Sequence, residues 1–292
     1  MINKKRLLSG IFFLAGILVV FLFIKNVFFP TLSQRLKSRG DLSEVRDDLS
    51  GIRVAIYFCR GMDSHSALAM GRAFQWMGCS RVEVVNSDGI KSGALKSFDV
   101  LACAGGKSRP DPWRELGLEG KLRIQEFIKG GGGYIGVCFG ALFACDYCDF
   151  WGSRIGADEL YLDLFPGAAY CGQKEIAPQG GWPLMTWLKI SDRTHPLSAS
   201  LPDRIKIVYY PNGPYLKPYE DADITIVAVY EITGNPAMVA FEYGKGRVFL
   251  SGPHPEIEVD SDRDGSRRFH ELSDEGSEWP LLLEVMKWLT AN

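Results

Sequence analysis

The sequence has little net charge, few histidines and no repeated or low-complexity stretch. Lys and Arg number 33 against 35 Asp and Glu, for a net charge of −2, and this balance excludes the basic surface typical of nucleic-acid binders. A composition of 46% hydrophobic and 23% charged residues excludes a disordered or collagen-like chain. At 292 residues the chain can build a large core without disulfide or metal staples. We therefore expect a globular protein that binds no nucleic acid.

A long uncharged apolar stretch lies at the N-terminus. The eighteen residues Leu7–Ile24 would span about 27 Å as a helix, close to the hydrocarbon thickness of a bilayer. Lys4, Lys5 and Arg6 precede them, which predicts a cytoplasmic N-terminus, a single membrane span and an extracytoplasmic body. A cleaved signal peptide and a buried core helix are the alternatives, although no small-x-small cleavage site follows. The predicted divisions are a membrane anchor over 1–30, a polar linker over 31–51 and a folded body over 52–292.

Strands and helices alternate through the first half of the body. Short apolar, β-branched runs predict buried strands, and amphipathic spacing between them predicts helices. The predicted strands are Arg53–Phe58, Arg81–Val85, Phe98–Ala104 and Tyr134–Val137, and the predicted helices are Ser64–Met77, Leu118–Lys129 and Ala141–Cys148. This alternation is typical of right-handed βαβ crossovers and hence of an open parallel sheet with flanking helices.

The second half of the body has a different texture. Residues 150–220 are rich in Gly, Pro and aromatic residues with short strand-like pieces, which predicts a β-rich insertion. A strand over Ile224–Tyr230 and a hairpin turning at Gly244–Gly246 follow, and Glu278–Thr290 is predicted to be a closing amphipathic helix. The sequence therefore predicts one α/β domain with an insertion.

Cys138 lies in the most distinctive local motif. A strand leads into Gly136-Val-Cys138-Phe-Gly140, and a predicted helix follows. The spacing is that of a nucleophile elbow, in which flanking glycines permit a strained turn and the helix N-terminus favours a thiolate. A buried structural cysteine in a glycine-rich turn is the alternative.

Two further loops are predicted to meet Cys138 at the C-terminal edge of the sheet. His254 and Glu256 follow the strand of the hairpin, so one loop offers a base and a carboxylate to orient it. Gly105 and Gly106 end the third predicted strand, and their N–H groups, with that of Phe139, could form an oxyanion hole. An ordinary turn is the alternative for the two glycines.

These features in this order resemble the class I glutamine amidotransferase superfamily, and the resemblance implies a flavodoxin-like fold. The blocks GGGYIGVCFGALFACDYCDFWG, LDLFPGAAYCG, VYYPNGPY and FEYGKGRVFLSGPHPE are similar to the amidotransferase-like N-terminal domain of eukaryotic biotin–protein ligases. The resemblance extends over about residues 52–258. It implies that Cys138 is the nucleophile, His254 the base and Glu256 its orienting carboxylate. Gly106 and Phe139 are the oxyanion donors that it implies.

The sequence also departs from the pattern of glutaminases. Leu142 stands where these enzymes carry the Gln of G-x-C-x-G-x-Q, and Cys103 and Ala104 replace the apolar-Pro pair before the oxyanion glycines. Neither glutamine amidotransfer nor biotinylation is therefore expected to carry over. We expect a hydrolase or amidase-like enzyme that acts through a thioester on a small-molecule or peptide-like substrate, without metal or cofactor. A non-catalytic ligand-binding or regulatory module is the alternative.

Some tyrosine, asparagine and cysteine side chains are secondary candidates. Tyr210 and Asn212 are predicted to contact substrate, as is Tyr170, although a turn-forming Asn-Gly pair is the favoured alternative for Asn212. With Cys138 free, six cysteines could form up to three disulfides in an oxidising compartment, and the pair Cys59–Cys103 is favoured. The six are Cys59, Cys79, Cys103, Cys145, Cys148 and Cys171. No second pair accompanies Cys145 and Cys148 at zinc-site spacing.

Overall fold

A computed structural model describes residues 31–38, 42, 45–106, 111–155, 161–265, 269 and 271–291. The membrane span predicted for Leu7–Ile24 lies outside these residues. Within the described ranges, no helix is both long enough and apolar enough to cross a bilayer.

Helices and strands follow one another in the order that the parallel βαβ pattern predicts, and then change to consecutive strands. The elements are α1 (Leu32–Lys37), β1 (Arg53–Tyr57), α2 (Ser64–Trp76), β2 (Arg81–Val85), α3 (Ser87–Lys91), a 3-10 turn (Ala94–Ser97), β3 (Val100–Cys103), α4 (Asp111–Lys129, broken at Gly117), β4 (Gly133–Val137), α5 (Phe139–Ala144), β5 (Cys145–Phe150), β6 (Ser153–Ile155), β7 (Phe165–Cys171), β8 (Leu184–Ile190), β9 (Arg204–Tyr209), β10 (Pro214–Pro218), β11 (Thr225–Tyr230), β12 (Pro236–Tyr243), β13 (Gly246–Ser251) and α6 (Trp279–Thr290).

Among the residues that the structure describes, the main sheet has nine strands in the order β2-β1-β3-β4-β13-β12-β11-β8-β9. The first five are parallel, which confirms the predicted parallel core. The hairpin through Gly244 is also confirmed, since β12 pairs antiparallel with β13 and Gly244 has a φ of +67°. The last four strands extend the sheet in antiparallel fashion, so the sheet is mixed rather than purely parallel.

Successive residues of a strand face opposite sides of the sheet, and different helices pack on each side. Val54 and Ile56 of β1 pack with α2 and α6, whereas Ala55 and Tyr57 pack with α4 and α5. This alternation is the expected consequence of the two-residue period of a strand. Because both faces are covered, the strands are buried along most of their length and the carboxyl edge of the parallel part remains for a site.

The predicted insertion divides between two sheets. Strands β10, β7, β5 and β6 form a second sheet on the α5 face, whereas β8 and β9 join the main sheet. The helix predicted over Ala141–Cys148 is wrong beyond Ala144, because Cys145–Phe150 pairs with β7 on one side and β6 on the other. In this segment, inter-strand hydrogen bonds take the place of helical ones, and its aromatic residues favour a strand.

The segment predicted as a linker packs on the domain where it is described. Thr31 and Gln34 form a capping box at the start of α1. Leu36 is buried against Gly71 of α2, where a Cβ atom would overlap the leucine methyl group. Arg72 of α2 donates to the carbonyl oxygens of Arg35 and Ser38. This part of the segment therefore contributes to the core.

Candidate functional site

Cys138 is positioned by a strained turn between β4 and α5. Its φ of 52° and ψ of −103° are unusual for a residue with a side chain, and its N–H donates to Ser251 O at 2.8 Å. A Cβ atom on Gly136 would lie 2.5 Å from Gly140 O, and one on Gly140 would overlap the carbonyl oxygen of Cys103. The turn therefore requires both glycines of the G-x-C-x-G motif. It has the geometry of the predicted elbow.

His254 and Glu256 form a buried pair beside this turn. The backbone N–H of His254 donates to Val208 O at 2.9 Å, which attaches the loop after β13 to β9. The His254 Nδ1 and Glu256 Oε1 atoms are 2.8 Å apart, and the two residues are only 2% and 0% exposed. The indole N–H of Trp279 donates to Glu256 O at 3.0 Å and anchors the loop to α6. The structure thus brings together the imidazole and the carboxylate whose roles as base and orienting group remain predictions.

Charges around the imidazole favour its protonated form. Burial lowers the pKa of His254, but the Glu256 carboxylate and the Cys138 thiol outweigh burial and raise that pKa to about 10. His254 Nε2 is buried and has no hydrogen bond of ordinary geometry within the described ranges. Cys138 therefore interacts electrostatically with a ring that carries a proton at neutral pH.

Gly105 does not take the role in an oxyanion hole that the sequence predicts. Its N–H donates to the hydroxyl oxygen of Ser66 at 2.8 Å, so this donor is already used. The Gly105 prediction is therefore corrected. Gly106 and Phe139 are neighbours, since a Cβ atom on Gly106 would lie 3.2 Å from Phe139 Cγ. Their roles as donors remain predictions.

Ser66 is a site residue that the sequence reasoning missed. Its hydroxyl donates to Glu256 Oε1 at 2.6 Å, and the residue is 2% exposed in the first turn of α2. The helix begins at Ser64, as predicted, and Asp63 is its N-cap. The position of Ser66 in the sequence could have indicated its role, because a helix that follows a parallel strand starts at the carboxyl edge of the sheet, where sites form.

The imidazole of His254 is enclosed by two further neighbours. A Cβ atom on Gly105 would lie 2.7 Å from His254 Cε1, so only glycine leaves room for the ring. The Tyr210 ring packs on the other side, with its centroid 4.4 Å from that of His254. With Glu256 bonded to Nδ1, the ring has little freedom to rotate. The orientation of the imidazole is therefore fixed by its surroundings.

Cys138 opens onto a cavity of about 560 Å³. Of the predicted substrate contacts, Tyr210 and Asn212 line this cavity, together with Gly106, Leu142 and Trp151. The third predicted contact, Tyr170, is placed elsewhere: its ring stacks on Tyr215 at 5.0 Å, and its hydroxyl is 3.1 Å from that of Tyr147. That part of the prediction is corrected, because β7 points this ring into an aromatic cluster of the smaller sheet.

The other cysteines are buried and lie outside disulfides. The favoured Cys59–Cys103 disulfide is not formed, and Cys148 and Cys171 share a hydrogen bond between Sγ atoms 3.6 Å apart rather than a disulfide. Burial raises the pKa of Cys79 to about 12 and that of Cys103 further, so both remain protonated at neutral pH. No three His, Cys, Asp or Glu side chains of the described ranges converge to hold a metal ion.

Comparison with known proteins places the chain in a family. The family model described as "Biotin-protein ligase, N terminal" matches residues 82–278. An uncharacterized protein of Chlamydia muridarum is 30% identical over 172 residues, which cover 55% of this chain and 61% of that protein. The biotin–protein ligase of Schizosaccharomyces pombe is 26% identical over 180 residues, covering 57% of this chain and 26% of the ligase. The chain thus spans less than two thirds of either relative.

Solved structures share the fold at low sequence identity. One chain of the structure of PurLQS from Thermotoga maritima matches with a TM-score of 0.56 and 16% identity, covering 82% of this chain and 99% of that one. A thua-like protein from Bacteroides uniformis matches with a TM-score of 0.51 and 13% identity, covering 82% and 92%. These likenesses show the fold alone.

The family match and the fold lead to the same assignment. The mixed α/β sheet with its strand–elbow–helix is that of a class I glutamine amidotransferase-like domain, and the family model covers more than half of the chain. This protein therefore belongs to the family of the N-terminal domain of biotin–protein ligases.

Proposed function

We propose that the protein is a cysteine hydrolase that cleaves an amide, or a related carbonyl compound, through a thioester. The observation that supports this most strongly is the buried His254–Glu256 pair beside the strained turn at Cys138. A cysteine beside a histidine that is itself paired with a carboxylate is the arrangement that nucleophilic catalysis by a thiol requires.

In this proposal the Cys138 thiolate attacks the carbonyl carbon, and the oxygen gains a negative charge. The N–H groups of Gly106 and Phe139 are the candidate donors to that oxyanion. The intermediate collapses as His254 gives its proton to the departing amine, which leaves a thioester on Cys138. A water molecule then attacks the thioester while His254 takes up one of its protons. The carboxylic acid leaves, and the thiolate–imidazolium pair is restored.

A second candidate is a ligand-binding or regulatory module on the same fold. The observation in its favour is Leu142, an apolar side chain in the cavity wall where glutaminases carry a glutamine. Such a module would use the cavity of about 560 Å³ without chemistry at Cys138. It would give Cys138 no special reactivity, and one measurement therefore separates the two candidates.

That measurement compares two cysteines of similar exposure in the same protein. Cys138 is 9% exposed and Cys79 is 7% exposed, so access alone gives them similar rates. We expect iodoacetamide at pH 7 to label Cys138 at least about tenfold faster than Cys79, because only Cys138 has an imidazolium neighbour. In the His254→Ala variant this advantage is lost. Equal rates in the wild-type protein would support the binding module instead.

A further inference from the structure

We propose that Ser66 is a positioning residue of this site, which holds Glu256 and Gly105 in one hydrogen-bonded chain and thereby keeps His254 aligned with Cys138. The inference rests on the proposed function, because it assigns Ser66 a part in the reactivity of Cys138. The Ser66 hydroxyl group both donates and accepts a hydrogen bond inside the site.

The Ser66 hydroxyl joins two parts of the site that are distant in sequence. It donates its single hydrogen to Glu256 Oε1 at 2.6 Å and accepts the Gly105 N–H at 2.8 Å. The same carboxylate oxygen lies 2.8 Å from His254 Nδ1. The donor at 2.6 Å is short enough for a charge-assisted bond to a carboxylate. A continuous chain therefore runs from the Gly105 amide through Ser66 and Glu256 to the imidazole.

The first turn of α2 holds Gly105 from both sides. The Asp63 N–H donates to Gly105 O at 2.9 Å, and Ser66, three residues later, accepts from the Gly105 N–H. Both polar groups of Gly105 are thus tied to one helical turn. The start of α2 therefore holds both Gly105 and the Glu256 carboxylate in place.

The position of Gly105 in turn limits the position of the imidazole. A Cβ atom on Gly105 would lie 2.7 Å from His254 Cε1 and 3.0 Å from Ser66 Oγ. Gly105 is thus in close contact with both of these side chains. If Ser66 loses its hydroxyl, the Gly105 N–H and Glu256 Oε1 each lose a partner, and the two contacts that hold the ring loosen together.

The test is the alkylation rate of Cys138 by iodoacetamide at pH 7 in full-length variants. For Ser66→Ala we expect about a tenfold decrease, the effect of losing one hydrogen bond to a charged group. Ser66→Thr keeps the hydroxyl and should stay within about threefold of the wild-type rate. Ser64→Ala is the matched control, because it makes the same change at the first residue of the same helix, and its rate should not change. A wild-type rate in Ser66→Ala would overturn the inference.

A double-mutant cycle separates positioning from packing. In a Glu256→Ala background Ser66→Ala should lower the rate by only about threefold, because the contact with Gly105 is then the one that remains to be lost. A tenfold decrease in both backgrounds would contradict the positioning role, since packing acts whether or not Glu256 is present. Thermal melting checks folding, and Glu256→Gln replaces Glu256→Ala if the latter does not melt cooperatively.

The failure of this inference differs from the failure of the proposed function. If wild-type Cys138 reacts no faster than Cys79, the proposed function fails and the role of Ser66 falls with it. If Cys138 is fast and depends on His254 but Ser66→Ala is neutral, only the inference about Ser66 fails.

Discussion

Replacing Gly105 with alanine tests how tightly the site confines the imidazole. The new Cβ atom would lie 2.7 Å from His254 Cε1, whereas two carbon atoms in contact are separated by about 3.5–4.0 Å. The ring or the glycine must therefore move by about 1 Å. Both His254 and Ser66 are 2% exposed, so neither can turn into solvent to make room. We expect the ring to leave its alignment with Glu256.

The size of the effect follows from the hydrogen bond that this movement breaks. A shift of about 1 Å would lengthen the 2.8 Å separation of His254 Nδ1 and Glu256 Oε1 past the limit of a hydrogen bond. A bond to a charged group contributes about 1.5–3 kcal/mol, which corresponds to a decrease of about 10- to 100-fold in rate. The assay is the second-order alkylation rate of Cys138 at pH 7, determined by peptide mass spectrometry.

The control for this variant is Gly51→Ala, because a Cβ atom there would meet no atom within 4 Å. Its alkylation rate and melting temperature should match those of the wild-type protein. If Gly105→Ala melts cooperatively and Cys138 still reacts at the wild-type rate, the imidazole is not confined as described, and the reasoning is refuted.

Two further predictions concern the protonation of His254 and the turn at Cys138. The folded protein raises the pKa of His254 from 6.5 to about 10, so the stabilisation is complete below pH 6.5 and is lost as the pH rises to 10. The unfolding free energy of the wild type should exceed that of His254→Gln by an amount that shrinks between pH 7 and pH 10, and a constant or growing difference in urea titrations would contradict this. Gly140→Ala should lower the unfolding free energy by about 1–3 kcal/mol, because its Cβ atom would overlap the Cys103 carbonyl oxygen. Urea unfolding beside Gly51→Ala measures this, and equal stabilities would show that the turn tolerates a side chain.

Local sequence patterns were enough to predict the central strands and the turn at Cys138. The strand predicted over Arg81–Val85 matches β2, and those predicted over Arg53–Phe58 and Tyr134–Val137 differ from β1 and β4 by one residue. The segments β1 and β4 are apolar runs buried along almost their whole length, whereas β2 alternates exposed charged residues with valines, and both patterns are local. The G-x-C-x-G motif could be interpreted locally because close backbone contacts exclude side chains at both glycines.

Pairing between distant segments could not be predicted in the same way. The helix expected over Ala141–Cys148 gives way to β5 because β7, about twenty residues later, provides hydrogen-bond partners. Likewise, nothing in the local pattern separates β8 and β9, which join the main sheet, from β5 and β7, which do not. The sheet that each of these strands joins depends on which sheet edges are still unpaired once the core has formed.

The prediction for Gly105 failed for a related reason. Adjacent glycines at a strand end indicate available N–H donors, and the sequence gives no sign that one donor is already used. The acceptor is Ser66, 39 residues earlier, and only the fold brings it to Gly105. The same contact makes Ser66 part of the site, although its own sequence context is an ordinary helix start.

Formation of a thioester on Cys138 with the help of His254 can be measured by the intact mass of the protein, quenched in acid, after incubation with p-nitrophenyl acetate. We expect an increase of one acetyl group that maps to Cys138, is removed by neutral hydroxylamine, and is absent from Cys138→Ser and strongly reduced in His254→Ala. An acetyl group found mainly on other residues, or one on Cys138 that forms equally fast without His254, would contradict it.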